Sequence, residues 1–140
     1  MSEALLLAHA AVSLPLVGLI WFVQVVHYPL FALVGPDRWD AYHEAHRFRT
    51  GLVVGAPMLA QLGTAAALVL DHARPLTVAS LALTVGVFLH TFLVAVPDHE
   101  RLGRAHDPAV VARLARLNAI RTALWTAQGA VVVALLADAV

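Results

Sequence analysis

Imidazole is the one reactive group this chain holds in quantity, with eight histidines and no cysteine in 140 residues. His43 and His46 fall with Glu44, Arg47 and Arg49 in the stretch YHEAHRFR, within a chain that is otherwise sparsely charged. Neutral imidazole suits zinc, iron and copper, and ligands three apart on a helix present a common face. His43-x-x-His46 has that spacing, and His27 and His99 are the candidates to add ligands from other helices. The expected metal ligands are therefore His27, His43, His46 and His99, with iron, haem or zinc as the cofactor. Haem needs ligands at matching depth on facing helices; His27 with His46 or with His99 qualifies, and His27 with His90 does not. Arg47 and Arg121 are suited to hold a carboxylate by paired hydrogen bonds. With Asn118, Tyr28 and Trp125 they form the expected substrate-binding set. Glu44 points about 100° round the helix from His43 and need not share the site. The plainer alternative is a solvated helix end with i, i+3 and i, i+4 pairs, its arginines serving as snorkelling topology anchors. No serine nucleophile motif, glycine-rich phosphate loop or H-E-x-x-H occurs.

The elements that must carry these groups are membrane helices. Hydrophobic residues make up 61% of the chain and charged residues 13%, too little polar surface for a soluble domain. Formal net charge is zero, which gives no basic face for nucleic acid. A bilayer-crossing helix needs about 20 mostly apolar residues, and four segments qualify, at about 4–26, 52–70, 76–96 and 119–137. The opening MSEALLL has an acidic residue and no basic one, and its apolar run continues to Val26, so it reads as a retained span. Gly35-Pro36 stops the first helix and opens the second, DHARP at 71–75 is a short turn, Pro97 ends the third helix, and Asp107-Pro108 caps and starts the fourth. The expected fold is all-α, a single integral-membrane antiparallel four-helix bundle with the second and fourth helices extended into the cytoplasm. Gly51-x-x-x-Gly55 would permit close approach by a neighbouring helix. Every arginine except Arg74 lies at the end of the first and third loops. By the positive-inside rule that end is cytoplasmic and both termini face outward, in the inner (plasma) membrane.

Helix rise converts sequence position into depth. Measured from the outer boundary, His27, His99, His46 and Arg47 come out between about 33 and 36 Å, with Asn118 near 29 Å and Arg116 near 32 Å. His90 is deeper, at about 21 Å from the outer face; it is either a ligand or proton relay, or a core imidazole bonded to a carbonyl, Gln24 or Gln128. Gln24 shares a face with His27, and Asn118, Arg121, Trp125 and Gln128 form one stripe on the fourth helix. Such stripes turn inward, because bare polar groups in hydrocarbon are costly. His9 and His72 fall near the outer face and receive no role.

WFVQVVHYPLF, YHEAHRFRTGLVVGAPM, VPDHERL and RLNAIRTALWT together resemble a family of small bacterial four-helix membrane proteins without an assigned activity. The Pro-Leu-Phe closing the first helix and the Asn-x-x-Arg of the last are similar to the anthrone-oxygenase-like family of unknown function, which implies oxidation of a hydrophobic aromatic substrate. Tyr28-Pro29-Leu30-Phe31 and Pro57-Met58 resemble the four-helix bacterial protoporphyrinogen oxidase, which implies haem. The expected function is a metal- or haem-dependent membrane oxidoreductase acting on a lipophilic, partly anionic small molecule drawn from the bilayer. The alternative is a non-catalytic accessory subunit of a larger membrane complex, or a small transporter, with homo-oligomerisation open in either case. Few polar residues in the outer half (Ser13, Thr64, Thr77, Ser80) count against an ion pathway.

Overall fold

The computed structural model describes residues 2–139. Four helices account for nearly all of them: α1 Glu3–Phe31, α2 Pro36–Asp71, α3 Pro75–Leu102 and α4 Pro108–Ala137. Their starts follow the chemistry of the sequence. Ser2 accepts a hydrogen bond from the Leu5 N–H. Pro36 follows an extended Gly35, and the Thr77 hydroxyl accepts from the Arg74 N–H one turn into α3. The Asp107 carboxylate accepts from the N–H groups of Ala109 and Val110 at 2.8 and 3.3 Å. Each proline at a first helical position gives up only a donor that would have had no partner there.

All four helices are long and apolar enough to cross a bilayer, and their burial pattern matches that solvent. In the Pro75–His90 part of α3 the buried residues are Thr77, Ser80, Thr84 and Val87, whereas Val78, Val85 and Leu89 are exposed. Hydroxyls inside and aliphatics outside invert the arrangement that water imposes. The chain is a multi-pass membrane protein built as a four-helix bundle.

α1 runs past its apolar span and ends at Phe31, ahead of Gly35-Pro36 as expected, whereas α3 departs from expectation: it does not stop at Pro97 but continues to Leu102. In both, a single π turn comes just before the proline: Val23–His27 ahead of Pro29, and Thr91–Ala95 ahead of Pro97. There the Tyr28 N–H bonds the Val23 carbonyl and the Val96 N–H bonds the Thr91 carbonyl, five residues back. Proline lacks a donor and crowds the carbonyl four residues earlier. The wider turn moves that carbonyl aside and lets the helix pass.

The same device occurs in α1 and α3, and Arg49-Thr50-x-Leu52 in α2 and Arg121-Thr122-x-Leu124 in α4 stand at equal distances from Pro36 and Pro108.

At the end near the termini and the α2–α3 turn, a buried polar network clamps the bundle. His9, judged irrelevant from sequence, is its hub and is fully buried. Its Nδ1 bonds Thr64 at 2.8 Å, and its Nε2 meets Ser80 at 2.9 Å and the Gln128 amide at 3.1 Å. The Thr64 hydroxyl is spent on the Ala60 carbonyl, so it accepts from Nδ1–H and fixes the tautomer. Gln61 extends the network, donating to Ser13 and accepting from the Trp125 indole. Indole N–H only donates, so the chain of bonds ends there as a clamp joining all four helices and not as a proton relay.

At the opposite end α2 stands apart. Its backbone contacts with α1 and α3 are concentrated on Glu3–Phe22 and Pro75–His90, whereas the later parts of α1 and α3 pack on α4. Rings fill the gap: Tyr28, Phe31 and Trp39 form one buried cluster with Leu102 and Leu114, flanked by Tyr42. Nothing lies within 4 Å of a Cβ built on Gly51 or Gly55. The Gly-x-x-x-Gly pair therefore mediates no close helix contact within this chain, contrary to expectation.

Candidate functional site

The gap between α2 and the other helices is where the histidines meet. α2 supplies His43 and His46 one turn apart, both buried. The π turn of α1 turns His27 toward α2, and α3 delivers His99 only because it continues past Pro97. His27 Nε2 lies 2.7 Å from His46 Nδ1, and His43 Nε2 lies 3.1 Å from His99 Nδ1. The two pairs touch, with ring centroids 5.1 Å apart for His46 and His99 and 6.2 Å for His43 and His46. The Tyr28 hydroxyl bonds His99 Nε2 at 3.1 Å and the Thr50 hydroxyl bonds His46 Nδ1 at 3.1 Å. Phe31 packs edge-on against His46 at 4.9 Å, and Trp39 stacks on His43 at 5.2 Å.

All four expected ligands are therefore brought together, as two contacting pairs. Among the described residues no three or more histidine, aspartate or glutamate side chains form a group that could hold a metal ion. The nitrogens close on one another and not around a common point. The observed nitrogen separations of 2.7 and 3.1 Å nonetheless lie close to the spacing of about 3.3 Å between ligands that metal–nitrogen bonds of 2.0–2.1 Å impose in a tetrahedral site. Imidazole is the right donor type for such an ion, but the four rings as they stand form two pairs and not a metal site. A haem between His27 and His46 would have to part nitrogens that lie 2.7 Å apart. Asp98, one residue before His99, is fully buried; its Oδ1 is ion-paired with Arg113 and lies 3.5 Å from Arg101, while its Oδ2 has no hydrogen-bond partner among the described residues.

The expected substrate set divides. Arg47, Arg121 and Tyr28 line a cavity of about 180 Å³ beside His46 and His99. Asn118 does not reach it; its amide donates to the Gln24 side chain at 2.9 Å. Gln24 also bonds the Ala115 carbonyl and Thr122, so it faces α4 and not the His27 site as its spacing suggested. Trp125 lies beneath the cavity among Leu16, Ile20, Met58 and Val87, and it meets the site only through Arg121, whose guanidinium sits 5.4 Å from its ring centroid. Arg121 also faces the Tyr28 hydroxyl, makes no ion pair among the described residues, and has a buried Nε without a partner. His90 bonds neither Gln24 nor Gln128; both ring nitrogens are buried and unpartnered.

Thr50 bonds His46 from the helix face that His43, His46 and Arg47 share by their spacing. Two participants escaped the sequence reading. His106 packs on the far face of Trp39 at 4.6 Å. The π turns that aim His27 and position His99 were signalled by the matching placement of Pro29 and Pro97. A second, wider cavity of about 640 Å³, lined by Asp40, His43, Glu44, Arg47, Phe48 and Gly103, reaches the cluster from the helix ends. Compared with known protein families, with curated proteins and with solved structures, the chain matches none.

Proposed function

We propose that the protein is a membrane-embedded enzyme whose imidazole cluster takes up one transition-metal ion beside an arginine-lined pocket for a lipophilic, anionic substrate. The observation that carries this reading is the meeting of four imidazoles from three helices, with no carboxylate among them, next to the unpaired guanidinium of Arg121. Ionisable groups at membrane depth are retained for function, since their burial is costly. His43, His46 and His99, with His27, would hold the ion, and Tyr28 and Thr50 would orient two of the rings as outer partners do in metal sites. The ion would supply Lewis acidity if zinc, or electron transfer if iron; the oxidoreductase reading belongs to iron alone.

This chain's own groups set the rest. Arg121 and Arg47 draw the anionic end of the substrate toward His46 and His99 by charge-assisted hydrogen bonds. The apolar walls exclude water and strengthen those bonds. The wider cavity by Asp40 and Glu44 gives a water-soluble reactant access to the opposite side of the cluster. We place the histidine end in the cytoplasm and both termini outside, in the inner membrane, on the arginine distribution. The test is metal analysis of the protein purified in detergent without added chelator. One ion per chain is expected, with occupancy falling at least tenfold in His46→Ala and His99→Ala. A folded wild-type protein that stays metal-free after incubation with iron or zinc would exclude the reading.

A further inference from the structure

Arg121 raises a question that the metal centre does not answer. A half-buried guanidinium beside Tyr28 and the Trp125 ring, its Nε buried without a partner and with no ion pair among the described residues, is a charge open to a counter-ion. Besides Tyr28, Arg47, Arg121 and the His46 and His99 rings, the cavity is lined by Thr50, Gly51 and Val54 of α2 and by Thr91, Ala95 and Val96 of α3. This is the stretch where α2 and α3 have parted. Gly51 is exposed there, with nothing within 4 Å of where its Cβ would sit. Leu52 and Phe92, next in sequence to the lining residues Gly51 and Thr91, are both exposed. An opening bordered by small and apolar side chains on the lipid-facing side of a membrane helix pair leads to the bilayer and not to water.

Size restricts what can enter. About 180 Å³ is the share of roughly six water molecules, enough for a small head and the first carbons of a chain. A polycyclic body does not fit inside.

We infer that the gap between α2 and α3 is a lateral gateway, and that its occupant is a single-chain amphiphile with one small anionic head, carboxylate or phosphate. The head pairs with Arg121, and the chain passes over Gly51 and between Val54 and Ala95 into the lipid. This rests on reading the Arg121 cavity as the substrate pocket, but it requires no bound ion.

The probe is palmitate with a photoreactive diazirine in mid-chain, added to the full chain in nanodiscs of zwitterionic phosphatidylcholine. Labelled peptides are mapped by mass spectrometry. Saturable labelling confined to the 51–54 and 91–96 stretches is expected. Unlabelled palmitate or a lysophosphatidate should compete, and methyl palmitate should not. Arg121→Gln should reduce labelling at least tenfold, Arg121→Lys should reduce it less, and Gly51→Leu should reduce it with Arg121 intact. Labelling spread over all lipid-facing surfaces, or equal for the acid and its methyl ester, overturns the gateway. So does competition by butyrate or inorganic phosphate at the concentrations at which palmitate competes, which would mark a site for free small anions. Metal content is read on the same preparation. Failure of labelling in metal-replete protein removes the gateway alone, and specific labelling in a protein that takes up no metal removes the metal centre alone.

Discussion

The smallest unit that carries the functional reading is the Tyr28–His99–His43 row. With one His99 nitrogen on His43 and the other on the Tyr28 hydroxyl, the tyrosine fixes the ring orientation. Loss of such an outer partner typically costs 10- to 100-fold in metal affinity. Tyr28→Phe should therefore weaken binding by about that factor without loss of fold, measured by competition against a chromogenic chelator; unchanged affinity would remove His99 from the ligand set. Spacing made His43 and His46 legible as a pair, and helix rise placed His27 and His99 at the same depth. It did not reveal which side chains stop short. Asn118 comes close to the right depth, but Gln24 captures its amide first, and a one-dimensional depth count carries no information on such competition; Trp125 lies deeper, where its indole donates to Gln61. His9 was misjudged for the same reason: its distance from the arginine end was read as irrelevance, whereas its partners come from three other helices.

At the scale of the element, the π turns decide where the ligands point. Each adds one residue to a turn ahead of a proline, which rotates everything beyond it by about 100° relative to a regular α-helix. His27 and His99 both lie in or beyond such a turn. Pro97→Ala removes the crowding that favours the wide turn and should let α3 straighten. The expected outcome is a bundle at least as stable as wild type, with metal occupancy reduced at least tenfold as His99 turns away. Thermal unfolding and metal analysis on the same sample separate the two effects, and full occupancy in Pro97→Ala would show that the turn does not position His99. Helix existence, the cap at Asp107, and the early starts of α2 and α4 were all legible, since they rest on local residue chemistry. The continuation of α3 was not, because proline as a helix stop is a rule for regular α-helices that a π turn evades.

Across the whole molecule, the two ends of the bundle have different work. The clamp around His9 holds four helices together at the terminal end, where Ser2 also donates to Asp71 and Arg74 pairs with Asp138. The other end is held apart by rings and contains the histidines. Removing the hub by His9→Ala leaves Thr64, Ser80 and Gln128 short of a partner and should cost about 1–3 kcal/mol of bundle stability, read by denaturant titration in mixed micelles. Metal occupancy under native conditions should not change; a parallel loss of metal would mean that the two ends are coupled. The most direct measurement of the metal centre is a cobalt(II) titration of the purified protein followed by visible absorption, since cobalt held by a few nitrogen ligands absorbs far more strongly than the hexaaqua ion. Saturation at one cobalt per chain is expected, with the band abolished in His43→Ala/His99→Ala and restored to neither position nor intensity by excess metal. A wild-type protein that remains colourless, or a double variant with the same spectrum, would contradict imidazole ligation at this site.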